Sequence, residues 1–536
     1  GYRLLHTNPP AATAPANPAV KQIAVLPFQV AAEADTVRST ADGVSDVLTS
    51  GLANIEGIAV VPAADIRRRN ITAPEAARKF YGANLVVTGT AQQAGDQVEF
   101  TINLLDTVKA VTLDSRKFLY DPKNPLVSRD QIVTQTVRMM KLELPPAALT
   151  AIKAGDTNTP DAYSAYLEGR GFLARYDLPG NIDRAIAAFK KATKQDANYA
   201  LAYAGLAEAY WRKARSSGDL QALTLANQNA EYAVGLDPNM AILHSVLGSV
   251  YTDRGKPEDA VREFQKAMEL APNNAEAPRQ LAEVYKTQGR VAEAEALFLR
   301  STKARPTDWY GHLLLGIFYY ERERYPQAEA ELNQAKSLTP DNDMVRLDLG
   351  TVYRMHGRYR EAVEEFQQSL RIRPAASTFA ALGGAYYYEH RFAEAVSALE
   401  AAIDLDSNDY RYWGNLGIYY RRTPGNEAKS TAALTKALEM ATRFAGTKKS
   451  DMNVRADIAE YRARLGDTRG AIAEIDRIPA ASRPPLTARL ALVYQIAGDR
   501  AKAVAVIKAN LKSPESLNQI KDDPDLSELW PDVKPG

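Results

Sequence analysis

His390-Arg391-Phe392 is the nearest approach in this chain to a catalytic tripeptide. A phosphotransferase of the protein-kinase type needs His-Arg-Asp to place a base, Asp-Phe-Gly to hold metal, a glycine-rich loop over the phosphates, and a paired Lys and Glu. Those companions are missing from the sequence, as are a Gly-x-Ser-x-Gly nucleophile elbow and a His-Glu-x-x-His zinc motif. His390 falls where a polar turn residue is expected. His244 and His312 occupy equivalent places in a recurring pattern and are read as neighbours able to approach one another, but two histidines without a third ligand make a poor metal site. Cysteine is absent, which removes disulfides, thiolate metal sites and thiol nucleophiles. The residues therefore predict no catalytic, cofactor-binding or metal-binding site, and the chemistry left to the chain is recognition.

Charge narrows the partners. With 66 basic and 65 acidic side chains the formal net charge is +1, so nothing steers the whole chain to nucleic acid or to an anionic membrane. The basic run Arg67-Arg68-Arg69 is read as a solvated helix face.

The elements that must carry recognition are visible as a repeat. Leu247, Leu281, Leu315 and Leu349 stand 34 residues apart. In register with them run Gly248, Ala282, Gly316 and Gly350; Tyr251, Tyr285, Tyr319 and Tyr353; Ala260, Ala294, Ala328 and Ala362; and Pro272, Pro306, Pro340 and Pro374. A 34-residue helix-turn-helix period is the mark of a tetratricopeptide-type repeat. Small residues let two antiparallel helices approach. The tyrosine and leucine of the first helix, with Phe264, Phe298, Leu332 or Phe366 of the second, fill the space between units. The proline ends the second helix. Looser copies extend both ways, upstream around Gly169 and Tyr203 and downstream around Leu382, Leu416, Gly466 and Gly498, to about ten units that can share one continuous core. The expected span is 160–512. A tail of residues 513–536, in which Asp523-Pro524-Asp525-Leu526 to Trp530 covers the last helix, completes it.

Ahead of the repeats lies a different kind of domain, over residues 21–145. Ile23 to Phe28 reads as a buried strand, and Asp42 or Ser45 opens an amphipathic helix through Leu48, Leu52 and Ile55. Ile58 to Val61 is a second strand and Pro74 to Phe80 a helix. Leu85 to Thr90 and Val98 to Leu104 flank Ala94-Gly95-Asp96 as a hairpin, followed by a strand over Ser115 to Tyr120 and a helix from Ser128 to Leu142. Pro145-Pro146 marks the exit. Residues 1–20, rich in Pro and Ala, read as a spacer, and Gly1 to Leu5 as the outer edge of a removed membrane span. The expected fold class is α+β overall: a small N-terminal α/β domain with a mixed sheet, then a right-handed all-α solenoid of about ten helical pairs.

Ile23 to Phe28, Ala41 to Leu48, Leu85 to Thr90 and Val98 to Leu104 together resemble the small α/β domain similar to the TolB amino-terminal domain. Tyr166-Leu167-Glu168-Gly169-Arg170, Ala200 to Trp211 and Asn408 to Leu416 resemble the region that follows the membrane span in bacterial receptor-type serine/threonine protein kinases. Winged-helix regulators and nucleotide cyclases carry a similar arrangement. The resemblance implies a non-catalytic, periplasmic or extracytoplasmic sensing or docking region of a one-pass signalling protein. Any kinase domain would lie upstream, and the membrane would be reached only through an upstream span. The alternative is a free-standing or lipid-anchored periplasmic scaffold for envelope protein assembly.

In resembling repeat proteins the first helices line the binding groove through the second, fifth, ninth, twelfth and thirteenth positions of each unit. Carried over, that rule selects Trp211, Arg279, Lys286, Tyr310, Ile317, Tyr320, Arg354, Tyr387, Tyr388, Arg411, Arg421 and Arg422. This lining is aromatic and basic, suited to a protein or peptide ligand or to an extended acidic segment. Packing between repeats is the competing role for Tyr320, Tyr387 and Tyr388. The Lys/Asn clamp by which resembling co-chaperones hold a terminal carboxylate is not evident. A homodimer is compatible with the same surfaces.

Overall fold

The computed structural model describes residues 21–534 except 31–34, 54, 56–57, 62, 69–70, 143–156, 177, 273–275, 305, 307, 448–450, 512–516 and 518–519. The expected spacer and the Pro145-Pro146 exit lie outside the described residues.

Six strands form one mixed sheet: β1 (Lys21–Val25), β2 (Gln29–Val30), β3 (Ile58–Val60), β4 (Leu85–Ala94), β5 (Gln97–Asp106) and β6 (Val111–Tyr120). The order is β3-β1-β4-β5-β6, with β2 also paired to β4; the β1 pairings are parallel, and β4-β5 and β5-β6 antiparallel. The hairpin closes where Ala94 pairs with Gln97, and Gly95 takes the left-handed backbone (φ 65°) that such a tight turn demands. Val98, Phe100, Ile102 and Leu104 alternate to the buried face of β5, as a period of two requires. Four helices accompany the sheet: α1 (Asp35–Ala53), α2 (Ala63–Arg68), α3 (Pro74–Tyr81) and α4 (Pro125–Met139). Helix α1 starts earlier than Asp42, and β6 is longer than the predicted strand.

The helical array follows as α5 (Pro160–Ala174), α6 (Asn181–Gln195), α7 (Ala200–Ser217), α8 (Leu220–Leu236), α9 (Ala241–Asp253), α10 (Pro257–Leu270), α11 (Glu276–Thr287), α12 (Val291–Ala304), α13 (Trp309–Tyr320) and α14 (Tyr325–Leu338). It continues through α15 (Asp343–Met355), α16 (Tyr359–Ile372), α17 (Ala376–Tyr388), α18 (Phe392–Leu405), α19 (Tyr410–Arg421), α20 (Glu427–Thr447), α21 (Met452–Arg464), α22 (Thr468–Asp476), α23 (Thr487–Ile496) and α24 (Arg500–Asn510). Among the described residues these make ten pairs, α5-α6 to α23-α24. A short α25 (Trp530–Val533) ends the array.

The repeat residues do what their sizes dictate. A Cβ on Gly248 would stand 2.8 Å from the Phe264 ring, and one on Gly350 2.7 Å from that of Phe366, so only glycine admits the facing ring at these contacts. Each repeat tyrosine is covered by a cation from the turn that follows: Arg290 lies 3.9 Å from the Tyr285 ring centroid, Arg324 4.4 Å from Tyr319, Arg358 4.4 Å from Tyr353 and Arg391 4.3 Å from Tyr386. The tyrosine hydroxyl reaches back to the preceding pair, as in Tyr420 to Glu400 (2.6 Å) and Tyr386 with Gln367 (2.9 Å). His390 is indeed a turn residue. It and Glu323 hold left-handed backbone (φ 59° and 55°) where other units place glycine, a conformation that costs an L residue roughly 1 kcal/mol.

The chain divides into two compact units, residues 1–311 with 338–340, and residues 312–337 with 341–536. In the first, the sheet domain and the first repeat share a core. Val44, Leu48, Phe100 and Val133 cluster with Ala162, Tyr163, Leu167 and Tyr199, and a Cβ on Gly43 would meet the Leu167 side chain at 2.6 Å. Around that seam Arg170 holds Asp46 (2.7 Å) and Glu208 (3.1 Å), and Arg175 holds Asp42 (2.8 Å). Arg67 corrects its prediction: it is a largely buried member of this network, 3.9 Å from Asp46, because the acidic face of α1 is turned toward it.

Candidate functional site

In the second unit the first helices α15, α17, α19 and α21 bring together Arg354, Tyr387, Tyr388, Tyr419, Arg422 and Arg464, with Tyr359 from the start of α16. The rings form an aromatic floor. Tyr359 stacks on Tyr388 (centroids 5.1 Å, 8° between planes), and Tyr387 stacks on Tyr419 (4.8 Å, 21°). Adjacent residues of a helix point about 100° apart, so Tyr387 and Tyr388 send neighbouring rings to two different stacks.

This floor is occupied by the chain's own acidic segment. The Tyr387 hydroxyl donates to Asp525 Oδ2 (2.9 Å), Tyr359 to Asp522 Oδ2 (3.1 Å), and Tyr388 approaches Asp523 Oδ2 at 3.4 Å. Arg464 donates to Asp525 Oδ2 (2.6 Å), and Arg422 donates to Asp525 Oδ1 and to the Pro524 carbonyl (2.5 Å). The segment is shaped from within: the Asp525 N–H donates to Asp523 Oδ1 (2.7 Å), and the N–H of Leu526 and of Ser527 donate to the Asp523 carbonyl (3.1 and 2.9 Å).

The three carboxylates are not equally served. Burial alone would raise the Asp525 pKa, but Arg464 and Arg422 outweigh it and hold it below the usual carboxylate range. Asp523 has only the long tyrosine contact and its own turn, and burial pushes it up to about 6. Burial and the nearby carboxylates raise Tyr387, Tyr388 and Tyr359 above the usual phenol value, keeping these hydroxyls as donors. Arg354 has no carboxylate partner among the described residues, and its Nε is buried without an acceptor.

Residues 251–315, 309–375 and 380–446 each match the tetratricopeptide repeat family. Residues 251–446 are built of tetratricopeptide repeats. Such repeats form scaffolds for protein–protein interaction. Solved structures similar to the chain include YrrB, a tetratricopeptide protein with an unusual peptide-binding site, at 23% identity over 33% of this chain and 92% of its own (TM-score 0.28). PilF of Pseudomonas aeruginosa is similar at 23% identity over 42% and 97% (TM-score 0.34). A tetratricopeptide repeat protein of Parabacteroides merdae is similar at 16% identity over 48% and 98% (TM-score 0.37). No curated protein sequence matches the chain.

Of the residues the tetratricopeptide rule selected, Arg354, Tyr387, Tyr388 and Arg422 meet at this floor. Arg421 donates to the Arg464 carbonyl (3.0 Å). Arg411 holds Asp409 at its own helix start (2.9 Å) and lines a separate cavity of about 700 Å³ with Asp457 and Arg489. In the first unit the selected residues engage their own or the adjoining repeat. Trp211 donates to Asp253 (2.7 Å), Arg279 bridges Glu276 (2.7 Å) and Asp308 (3.0 Å) and lies over Tyr310, and Lys286 pairs with Glu283 (2.8 Å). Ile317 is half-buried and Tyr320 contacts Tyr325 (6.3 Å). Tyr387 is buried, so packing and hydrogen bonding coincide there.

The rule missed Tyr359, Tyr419, Arg464 and the acidic segment itself. Asp-Asp-Pro-Asp is the densest match in the tail to a Tyr/Arg lining, a charge signal that could have found it. The two histidines are also corrected. A whole repeat, with Pro278 at that place, separates them in sequence, and each pairs inside its own unit, His244 Nδ1 with Glu263 (2.6 Å) and His312 Nδ1 with Glu331 (2.7 Å). Arg346 with Glu365 and Arg455 with Glu474 repeat that spacing of 19. Among the described residues no cluster of three metal-ligating side chains occurs, and no helix is long and apolar enough to cross a membrane.

Proposed function

We propose that the chain is a non-catalytic docking region whose first-helix face, around Arg354, Tyr387, Tyr388, Arg422 and Arg464, binds an acidic peptide segment of a partner protein. The observation that carries this reading is the acidic turn already seated there: five side chains from three helices and a helix start converge on three carboxylates. Arg supplies forked donors and Tyr a rigid ring with a hydroxyl, the pairing that anchors peptide interfaces at modest entropic cost. The resemblance of the N-terminal domain and repeats to receptor-kinase regions supports placing this docking region in the periplasm or another extracytoplasmic compartment, in a one-pass bacterial signalling protein.

The test is capture of a partner from an envelope extract by the native chain and by an Arg354→Glu, Arg422→Glu version. Both substituted side chains lie on the face rather than in a repeat core, so the fold is expected to persist, with circular dichroism as its check. A partner retained by the native chain and lost by the variant is the expected result. Equal retention by both removes this face from the function.

A further inference from the structure

The C-terminal segment has two halves held by different forces. Leu526, Leu529 and Val533 are almost fully buried and cluster with Ile507, Leu490 and Val493 of α23 and α24. This is the apolar capping role expected of the tail. Residues Asp522 to Asp525 contribute nothing to that core. They leave it between Ile520, fully buried in the same cluster, and Leu526, and meet the Tyr/Arg floor through hydroxyl and guanidinium contacts. A turn that grips the floor through polar contacts, between apolar anchors at Ile520 and Leu526, can lift off as a short loop without unpacking the last helices.

The contacts also differ from those of a structural strut. A strut would satisfy each buried charge, because an unpaired one costs several times what a paired one contributes. Here Asp523 is half-buried, its Oδ1 taken by the Asp525 N–H and its Oδ2 by one long hydroxyl contact with no cation, while Arg354 has no carboxylate partner among the described residues and its Nε is buried without an acceptor. The seated turn therefore leaves both a carboxylate and a guanidinium underused. A ligand from outside, whose acidic groups need not be tethered to Leu526, can place one of them on Arg354.

We propose that the turn of Asp522 to Asp525 is an exchangeable internal ligand, and that the same side chains take in its place an acidic turn of Asp-Pro-Asp type from a partner protein. This rests on the peptide-docking reading above. The proline sets one backbone angle in advance and the first aspartate closes the turn on its own backbone, so a free segment of this kind loses little freedom on binding. The tethered turn competes at an effective concentration in the millimolar range, as short linkers give. Partners with a matching acidic turn bind only as well as they out-compete it, which makes the tail the regulator of the site.

The probe is a fluorescein-labelled peptide of residues 521–526, followed by fluorescence anisotropy. Three full-length chains are compared: native, Asp525→Asn, and Asp525→Asn with Arg422→Glu. The expected result is binding to Asp525→Asn at least about tenfold tighter than to the native chain, with the double variant losing it. Because Asp525→Asn could disturb the last repeats, Asp522→Ala is run beside it; it removes the acceptor of the Tyr359 hydroxyl and leaves the turn closed by Asp523 in place. Binding by these variants no tighter than by the native chain, with helical content unchanged, overturns the proposal. So does a concentration-dependent dimer of the native chain that Asp525→Asn abolishes, since the turn would then belong to a second copy. A partner lost on Arg354→Glu, Arg422→Glu yet indifferent to Asp525→Asn would sink the exchange while leaving the docking face in place. Tight peptide binding with no face-dependent partner would do the reverse.

Discussion

Arg279 and Arg422 were selected by one rule from one helix face, yet they sit in opposite kinds of surroundings. Arg279 is largely buried between Glu276, on its own helix, and Asp308, at the start of the next unit, with Tyr310 beneath it. Every partner lies within one repeat period, so the contact recurs as part of how neighbouring units stack. Arg422 instead meets Asp525 and Pro524, about a hundred positions along the chain. The first takes its carboxylate partners from its own and the adjoining repeat, the second from a segment outside the repeat. A cation that the repeat leaves unsatisfied is the one available for recognition.

The comparison can be broken by substitution. Replacing Arg279 by Met should leave half-buried Asp308 without its guanidinium partner, beside an exposed Glu276, and cost about 2 kcal/mol. Because a solenoid is coupled only between neighbours, the loss should appear as faster hydrogen exchange in α11 and α13, with binding of the acidic peptide unchanged. Tyr387→Phe should do the reverse. Loss of one hydroxyl donor to a carboxylate is worth about 1.5–2 kcal/mol, felt as faster exchange at the Leu526 and Ser527 amides while the α17 amides keep their protection.

Titration sharpens the same contrast. The Asp523 carboxyl, surrounded by Asp525, Glu460 and Arg464, is raised to about 6. A docked turn therefore favours its protonated form, and docking weakens as pH rises through about 6. Asp525 is depressed, so its contribution is complete above the unfolded carboxylate value of about 3.9 and fades only as pH falls through the lower folded one. Docking should thus strengthen as pH falls toward the unfolded carboxylate value, and it is already much firmer at pH 5 than at neutral pH. Protection of the Leu526 amide, corrected for intrinsic exchange, should be roughly tenfold greater at pH 5 than at pH 7.5. The smallest effect concerns turns alone: Glu323→Gly and His390→Gly should each stabilise by about 0.5–1 kcal/mol, measured as a rise in melting temperature without change in peptide binding.

What the sequence disclosed follows from period and range. Leu, Gly, Tyr, Ala and Pro recurring every 34 positions announced ten helix pairs, because each residue answers to a neighbour in the same or the next unit. The alternation of Val98, Phe100, Ile102 and Leu104 announced β5 for the same reason. The grip on Asp525 by Arg422 and Arg464 has no period. Neither has the seam that sets Gly43 against Leu167, or the burial of Arg67 beside Asp46. The groove rule gathered four of the floor's residues because they stand on first helices. It overlooked Tyr359, which opens a second helix, and Arg464, which stands in a unit whose repeat pattern has decayed.

The seam between Gly43 and Leu167 has a practical side. Residue 160 marks where the repeats begin, but a fragment cut there would carry α5 with Tyr163, Leu167 and Gly171 stripped of the helix that covers them. Such an exposed apolar stripe invites self-association. The sheet domain expressed by itself would present the complementary stripe on α1, along with Asp42 and Asp46 deprived of Arg170 and Arg175. For anyone dissecting this molecule, the smallest stable N-terminal piece is the sheet together with its first helix pair, and the first repeat belongs to both halves of any cloning boundary.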